Sequence, residues 1–260
     1  IFLNKDITIN KNAAKIDFKL IKEILIIGIP SAVMASISSI LTFMFNKILL
    51  SFYDLYIPNT QQKDEDIPQI VYGLYFKLNS LFFMPIFGIN NAVVPIVAYN
   101  YGAKNKEKMI KTMKYSLMIV SCLMFAGTMA FLLIPEKLLS IFAESEEAAK
   151  QMAVVGVPCL RIISSSFMVA AFCIVIMSMF QALGNGFYSM ICSVTRQLVV
   201  LLPAAYLLSL TKNLNLVWLS FLIAELVALC LSLFLFKRLY NDKIKPLGTI
   251  EVKEYYNERI

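Results

Sequence analysis

The sequence predicts an all-α membrane protein with six membrane-spanning helices. Hydrophobic residues make up 59% of the 260 residues and charged residues only 16%, which is too apolar a composition for a soluble domain of this length. Long apolar segments alternate with short polar connectors, and these connectors are alternately basic and acidic. Because lysine and arginine are retained on the cytoplasmic side of a bilayer, the alternation predicts that both ends of the chain are cytoplasmic.

The N-terminal part of the chain is polar and rich in lysine over residues 1–23. We expect a cytoplasmic connector here that ends in an amphipathic lead-in helix. The first span is predicted over 24–52, which is long enough to cross a hydrocarbon core of about 30 Å. The acidic connector over 54–68 follows and should lie outside the membrane.

The second span is predicted over 69–102, longer than a bilayer requires, with kinks at Pro85 and Pro95. Five lysines and a single acid follow between 102 and 114. This connector fixes the orientation, because short loops of such composition stay in the cytoplasm. The third span is predicted over 112–134 and leads into a second acidic connector.

The rest of the chain contains three further apolar segments. A tight turn at a Leu-Gly-Asn-Gly sequence separates the first two of them. We define the transmembrane lobe as 24–240 and expect 241–260 to be a solvated cytoplasmic tail. The fourth, fifth and sixth spans are predicted over 154–181, 187–210 and 214–236.

The residue inventory argues against several functional classes. The chain has no histidine, which excludes histidine-based zinc chemistry and histidine general bases. The five cysteines lie singly in apolar segments and are expected to be small buried hydrophobic residues. The spans contain neither paired acids nor a nucleophile–base set, so we expect no enzyme, no metal site and no cofactor. The net charge of +7 lies mainly in connectors, so no nucleic-acid partner is implied.

Two ionisable residues fall at similar depths in neighbouring spans. Counted by the rise per residue along the predicted helices, Arg196 lies about 14 Å and Glu225 about 16 Å from the inner, cytoplasmic boundary of the membrane. They can form a structural ion pair that joins the last two spans, or Glu225 can exchange a proton or cation with substrate. Both interpretations stay open from the sequence.

Other polar positions are candidates for a substrate cavity or for gating. Arg161 lies about 10 Å below the outer surface, and we expect a structural or gating role for it and for the two prolines of the second span. Amides bind diverse solutes without a fixed charge and methionine repacks readily, although amides in membranes also bond helix to helix. The cavity candidates are Asn46, Asn79, Asn90, Asn91, Met177 and Gln181.

Several short motifs occur in one order and spacing over residues 20–240. They are Gly28-Ile29-Pro30-Ser31, Tyr99-Asn100-Tyr101-Gly102-Ala103, Phe180-Gln181-Ala182-Leu183-Gly184 and Thr195-Arg196-Gln197, together with Asn46, Pro85, Pro95, Arg161 and Pro203. In this order the pattern resembles the second lobe of multidrug and toxic compound extrusion (MATE) transporters. The resemblance implies one six-helix lobe of a twelve-helix transporter, and we expect the chain to be a fragment of a longer product.

The resemblance also implies an activity. Transporters of this family export cationic, amphipathic drugs across the cell membrane in exchange for Na⁺ or H⁺. The partner of this chain would be the N-terminal six-helix lobe of the same protein. Two positions depart from the family pattern, because Ser38 and Ala170 stand where some branches carry acids. The alternatives are a lipid-linked saccharide flippase of the same superfamily and a non-transporting membrane scaffold.

Overall fold

The computed structural model describes residues 18–52, 67–143 and 145–247, and every regular element in these ranges is a helix. The first seventeen residues, most of the acidic connector after the first span and the end of the predicted tail lie outside the described residues. The helices are α1 Phe18–Leu50, α2 Ile67–Gly102, α3 Lys106–Leu133, α4 Pro135–Ser140, α5 Glu146–Ser164, α6 Phe167–Ala182, α7 Gly186–Ser209 and α8 Leu214–Leu247.

Five of these helices are long and apolar enough to cross a membrane singly, namely α1, α2, α3, α7 and α8. Helices α5 and α6 pass the same test together as one bent span, which brings the number to six. The predicted fold class, an all-α membrane protein with six spans, is therefore confirmed. The lead-in helix and the first span form one continuous helix, α1, since no break interrupts Phe18–Leu50.

The fourth span was predicted as a single helix over 154–181, but the structure divides it. Helices α5 and α6 meet at an angle of 49°, and the break falls at three consecutive serines. The hydroxyls of Ser164, Ser165 and Ser166 each donate to the carbonyl three residues earlier, at 3.0, 2.6 and 2.7 Å. Thr128 of α3 also donates to the Ser164 carbonyl, at 3.3 Å. Side-chain donors thus add to the backbone bonds that Ser165 N–H and Ser166 N–H make to the same turn, and together they satisfy the carbonyls at the break.

Two helices widen locally into π-helical turns. The first covers Thr195–Leu201 in α7 and the second covers Tyr240–Ile244 in α8. Each ends two residues before a proline, Pro203 and Pro246 respectively. A proline ring clashes with the carbonyl four residues earlier in a regular α-helix, and wider winding in the preceding turn relieves that clash.

The C-terminal boundary of the lobe differs from the prediction. The tail was predicted to begin at 241, whereas α8 continues to Leu247. Ile244 and Leu247 are buried in a hydrophobic cluster that also contains Val97 of α2 and Met109 of α3. Burying these two side chains supplies the free energy that keeps the segment helical and packed against the lobe.

Contacts at this same end of the bundle close the turn between α6 and α7. Gly184 has φ +73°, a conformation that only glycine adopts without strain. The Lys243 ammonium donates to the Leu183 carbonyl at 2.6 Å, so a cation of α8 caps the negative end of the α6 dipole. Lys106 lies 5.6 Å from the ring centroid of Tyr240 and joins α3 to α8.

The opposite end of the bundle is held by aromatic rings. Phe45 of α1 stacks on Tyr72 of α2 at a centroid distance of 4.6 Å and meets Phe221 of α8 at 5.3 Å. Tyr72 also stacks on Trp218 of α8 at 6.4 Å, and Tyr75 contacts Phe221 at 5.8 Å. This aromatic cluster fixes three helices to one another, because offset and edge-to-face rings pack specifically.

Candidate functional site

The most polar feature inside the lobe is an ion pair between α7 and α8. The Arg196 guanidinium donates to Glu225 Oε1 at 2.8 Å. The two side chains are 23% and 14% exposed, so the pair is largely shielded from its surroundings. Arg196 is the second residue of the π-helical turn in α7, and such turns are frequent at functional sites. The structure therefore brings together the two residues whose depths matched in the sequence.

Only one of the two carboxylate oxygens of Glu225 takes part in this ion pair. The second oxygen, Oε2, is buried and has no hydrogen-bond partner among the described residues. The Cys173 thiol of α6 donates weakly to the Glu225 backbone carbonyl at 3.9 Å. Tyr75 lies within electrostatic range of both charges. The pair is neutral overall, and its free carboxylate oxygen remains available to a further donor.

The amide candidates Asn90, Asn46 and Asn79 differ in their hydrogen bonding. Asn90 of α2 accepts a hydrogen bond from the Ser178 hydroxyl of α6 at 2.7 Å, which is the interhelical role that amides often have in membranes. The Asn46 backbone carbonyl accepts from the Gln69 side chain at 3.1 Å. Asn79 is half-buried, and its Oδ1 is a second buried acceptor without a partner in the described chain.

The remaining cavity candidates have no common binding partner. Asn91 and Gln181 are exposed. Met177 is half-buried, and its carbonyl accepts from the Ser189 hydroxyl at 3.0 Å. No hydrogen bond in the described ranges links one of the six candidates to another. The isolated lobe therefore presents separate polar positions, and the structure does not gather them into one binding pocket.

The structural or gating candidates lie on the surface of the lobe. Arg161 is exposed near the end of α5, and its guanidinium has no ion pair with any residue that the structure describes. Pro85 and Pro95 are also exposed, and α2 continues as a helix through both of them. Their roles stay predictions.

An apolar groove was not anticipated from the sequence. It lies between α1 and the start of the π-helical turn in α7 and has a volume of about 330 Å³. Small residues one turn apart on α1, Ala32 and Ser36, are the sequence signal that could have indicated it. The lining residues are Ile29, Ala32, Val33, Ser36, Ile37, Ile40, Val194 and Leu198.

Metal ligation has no support in the described part of the chain. Within 18–52, 67–143 and 145–247, no three or more cysteine, aspartate or glutamate side chains come together in a way that could hold a metal ion.

Comparison with protein families identifies the chain. The family model described as MatE matches residues 71–207, which is more than half of the sequence. The chain belongs to the MatE family. The match runs from the aromatic cluster in α2 to the region after the π-helical turn in α7, and it confirms the family resemblance that the motifs predicted. This MatE chain is a multi-pass membrane protein.

Curated relatives of the MatE chain are about twice as long as it is. The multidrug export protein MepA of Staphylococcus haemolyticus (strain JCSC1435) is 26% identical over 252 residues, covering 96% of this chain and 52% of the relative. MepA of Staphylococcus aureus (strain MRSA252) is 26% identical over 243 residues, covering 93% and 49%. The chain thus spans about half the length of the curated relatives it matches.

Solved structures show the same relation. A MOP superfamily transporter from Pyrococcus furiosus matches with a TM-score of 0.77 and 22% identity, covering 93% of this chain and 50% of the transporter. A multidrug resistance MATE family transporter in an outward-facing conformation matches with a TM-score of 0.76 and 22% identity, covering 91% and 50%. The MatE chain therefore has the fold of one lobe of such transporters.

Proposed function

We propose that this chain is the C-terminal half of a multidrug efflux transporter. The observation that carries the proposal is the pattern of coverage: nearly all of the chain matches about half of MepA. The assignment to the C-terminal half rests on the motifs over residues 20–240. We propose that 1–23 joins this half to an N-terminal six-helix lobe, that 24–240 forms the transmembrane lobe, and that α8 extends past that boundary to Leu247.

The proposed mechanism is alternating access, in which two lobes rock against each other around a central cavity. The substrates would be small amphipathic cations, and the exchanged ion would be Na⁺ or H⁺. Exposed side chains on α2 and α6 support this proposal, because Asn91 and Gln181 are free to meet a substrate or a second lobe. Asn90 is already bonded to Ser178 and would serve the packing of the lobe.

The coupling carboxylate would lie in the other half of the transporter. Ser38 and Ala170 cannot hold a cation by charge, and Ala170 is buried. Glu225, the acid in the spans of this lobe, is engaged by Arg196. A gradient drives export only through a group whose cation affinity is linked to substrate affinity. We therefore assign the Arg196–Glu225 pair a structural role within the lobe.

The proposed location is the plasma membrane, with both ends of the chain in the cytoplasm. The lysine-rich connector between α2 and α3 supports this orientation. The end of α8 lies on the same side, since Lys106 at the start of α3 contacts Tyr240.

Dye efflux from membrane vesicles tests the proposal. Three samples are compared: residues 1–260 alone, residues 1–260 with a co-expressed N-terminal lobe, and the full-length transporter. We expect gradient-dependent efflux from the second and third samples only, because one lobe supplies half of a cavity and has no body to rock against. Gradient-dependent efflux by residues 1–260 alone would show that the half-transporter assignment is wrong.

A further inference from the structure

The apolar groove between α1 and α7 begins at the basic end of the bundle. Helix α1 packs along α7, and the Pro30 Cβ lies 3.9 Å from the point where a Cβ on Gly186 would stand, at the start of α7. Gly186 directly follows the turn that Lys243 closes. The lysine-rich connector between α2 and α3 lies at this same end. From this level the groove extends along α1 between Ile29 and Ile40.

The lining of the groove offers no free hydrogen-bonding side chain to an occupant. Its side chains are aliphatic except for Ser36, and the Ser36 hydroxyl already donates to the Ala32 carbonyl at 2.9 Å. Ile29 and Ile40, at the two ends of the groove, are 54% and 47% exposed. Water would find few hydrogen-bond partners in such a groove. An apolar occupant is therefore favoured over water.

The dimensions of the groove match one hydrocarbon chain of a membrane lipid. Ile29 and Ile40 lie about 17 Å apart along the helix axis, and one leaflet supplies about half of a hydrocarbon core of ~30 Å. The volume of about 330 Å³ is roughly twice that of an apolar cavity of ~150 Å³ that holds benzene. A single acyl chain lying along α1 would thus fit the groove lengthwise.

The opposite face of α1 carries hydroxyl groups. Ser31, Ser38 and Thr42 share one face of the helix, because they follow one another at intervals of seven and four residues. Ser38 points about 160° away from Ser36 in the groove. Hydroxyls suit contact between helices in a membrane, so we expect a second protein body on that face. The apolar face with the groove is left to lipid.

Lys22 supplies a cation beyond the basic end of the groove. It precedes Ile29 by two turns of α1, so its side chain leaves the helix on the same face, about 10 Å from Ile29. The Lys22 side chain is exposed. A lysine at the start of a membrane span lies near the lipid headgroups and attracts those that are anionic. A lipid chain in the groove would therefore place its headgroup near Lys22.

We propose that the groove binds one acyl chain of an anionic phospholipid from the leaflet at the basic end, with the headgroup at Lys22. Pro30 and Ile37 of α1 are buried at this level. The bound chain adds dispersion contacts on the neighbouring face and so holds this part of α1 against α7. The inference uses the membrane-spanning helices and does not depend on the proposed transport activity.

Photo-cross-linking of the full-length protein in nanodiscs of phosphatidylcholine tests the proposal. The nanodiscs contain a trace of phosphatidylglycerol that carries a diazirine in one acyl chain, and mass spectrometry locates the cross-linked residues. We expect cross-links at the positions that line the groove, over 29–40 and 194–198, and fewer when the same acyl chain is carried by phosphatidylcholine. Cross-links confined to other faces of the lobe would overturn the proposal, because protein and not lipid would then cover the groove.

A leucine at Ser36 tests whether the groove itself is the binding site. Ser36→Leu fills the groove and should remove most of the cross-links there. Ser38→Leu is the matched control, because it places the same side chain on the opposite face, and it should keep them. Both serines are exposed, so neither leucine is forced into the packed core. Equal cross-linking in Ser36→Leu and the wild type would overturn the assignment of the groove.

The headgroup part of the proposal has its own variant. Lys22→Gln should lower the preference for phosphatidylglycerol over phosphatidylcholine by about fivefold, which is the contribution of one lysine near an anionic membrane surface. Lys108→Gln, at an exposed lysine of α3 near the same end of the bundle, is the control and should leave the preference at the groove unchanged. An unchanged preference in Lys22→Gln would overturn the assignment of the headgroup.

Discussion

The Arg196–Glu225 ion pair predicts an asymmetric response to mutation. Glu225→Gln keeps an acceptor for Arg196 but leaves the guanidinium charge without compensation, and arginine cannot lose its proton. Removing one partner of a buried pair costs about 3–5 kcal/mol. The side chains here are 23% and 14% exposed, so we expect the lower end, about 3 kcal/mol. At roughly 2–4 °C per kcal/mol for a unit of this size, the melting temperature should fall by roughly 6–12 °C.

The reverse substitution should cost less. Arg196→Gln leaves the Glu225 carboxylate alone, but that group can become neutral by taking up a proton. The double variant replaces both charges by amides that can bond to each other. It should recover most of the loss, with a coupling free energy of about 2–3 kcal/mol.

The assay is thermal unfolding of the wild type, the two single variants and the double variant in detergent, with dye efflux measured in parallel. Glu107→Gln is the matched control, because its partner Lys111 forms a pair of similar length, 2.7 Å, with side chains 60% and 77% exposed. We expect no measurable change there. Additive losses in the double variant would refute the pairing argument. Unchanged stability with loss of efflux would refute the structural role and favour ion coupling by Glu225.

Two further predictions concern the topology and the broken span. In a background without native cysteines, Lys106→Cys and Glu146→Cys should label from opposite sides of the membrane with an impermeant thiol reagent, and equal labelling from outside would contradict the orientation. Thr128→Val removes a donor to the Ser164 carbonyl at the break between α5 and α6 and should lower the free energy of unfolding by about 1 kcal/mol. Thr112→Val, which removes only a bond within its own helix, is the control, and equal losses in the two variants would contradict a role for the bond between helices.

The spans could be predicted because the hydropathy of a segment follows directly from its residues and a helix rises by a constant distance per residue. Counting about 1.5 Å per residue placed Arg196 and Glu225 at similar depths, and the structure joins them at 2.8 Å. The same reasoning missed the break after Ser164. Serine lowers the mean hydropathy only slightly, so the bent span remains apolar enough to be taken for one helix. The signal was present in the run of three serines, which can bond to the preceding turn.

The environments of the polar side chains were less predictable than their positions. Asn90 and Asn91 are adjacent in the sequence, yet one bonds to Ser178 and the other is exposed. Neighbouring residues on a helix point about 100° apart, and only the packing of α2 against α6 decides which amide faces inward. Hydropathy also did not indicate where α8 ends. Ile244 and Leu247 lie among lysines and a proline in the sequence, although both side chains pack in a buried cluster.

The π-helical turn at Thr195–Leu201 determines the direction in which the later side chains of α7 point. A regular α-helix rotates by about 100° per residue, and a π-helical turn takes up an additional residue without advancing that rotation. Arg196 lies at the start of the segment, while the fully buried Ala205 lies beyond its end. If one residue were deleted between 197 and 201, the segment could close as a regular α-helix. Arg196 would then still face Glu225 and Ala205 would still face the core, because the additional residue contributed no rotation. If all the residues were kept and the segment wound as a regular α-helix, Ala205 would instead turn by about 100° out of the core. The wider turn therefore aligns two faces of one helix with two different neighbours.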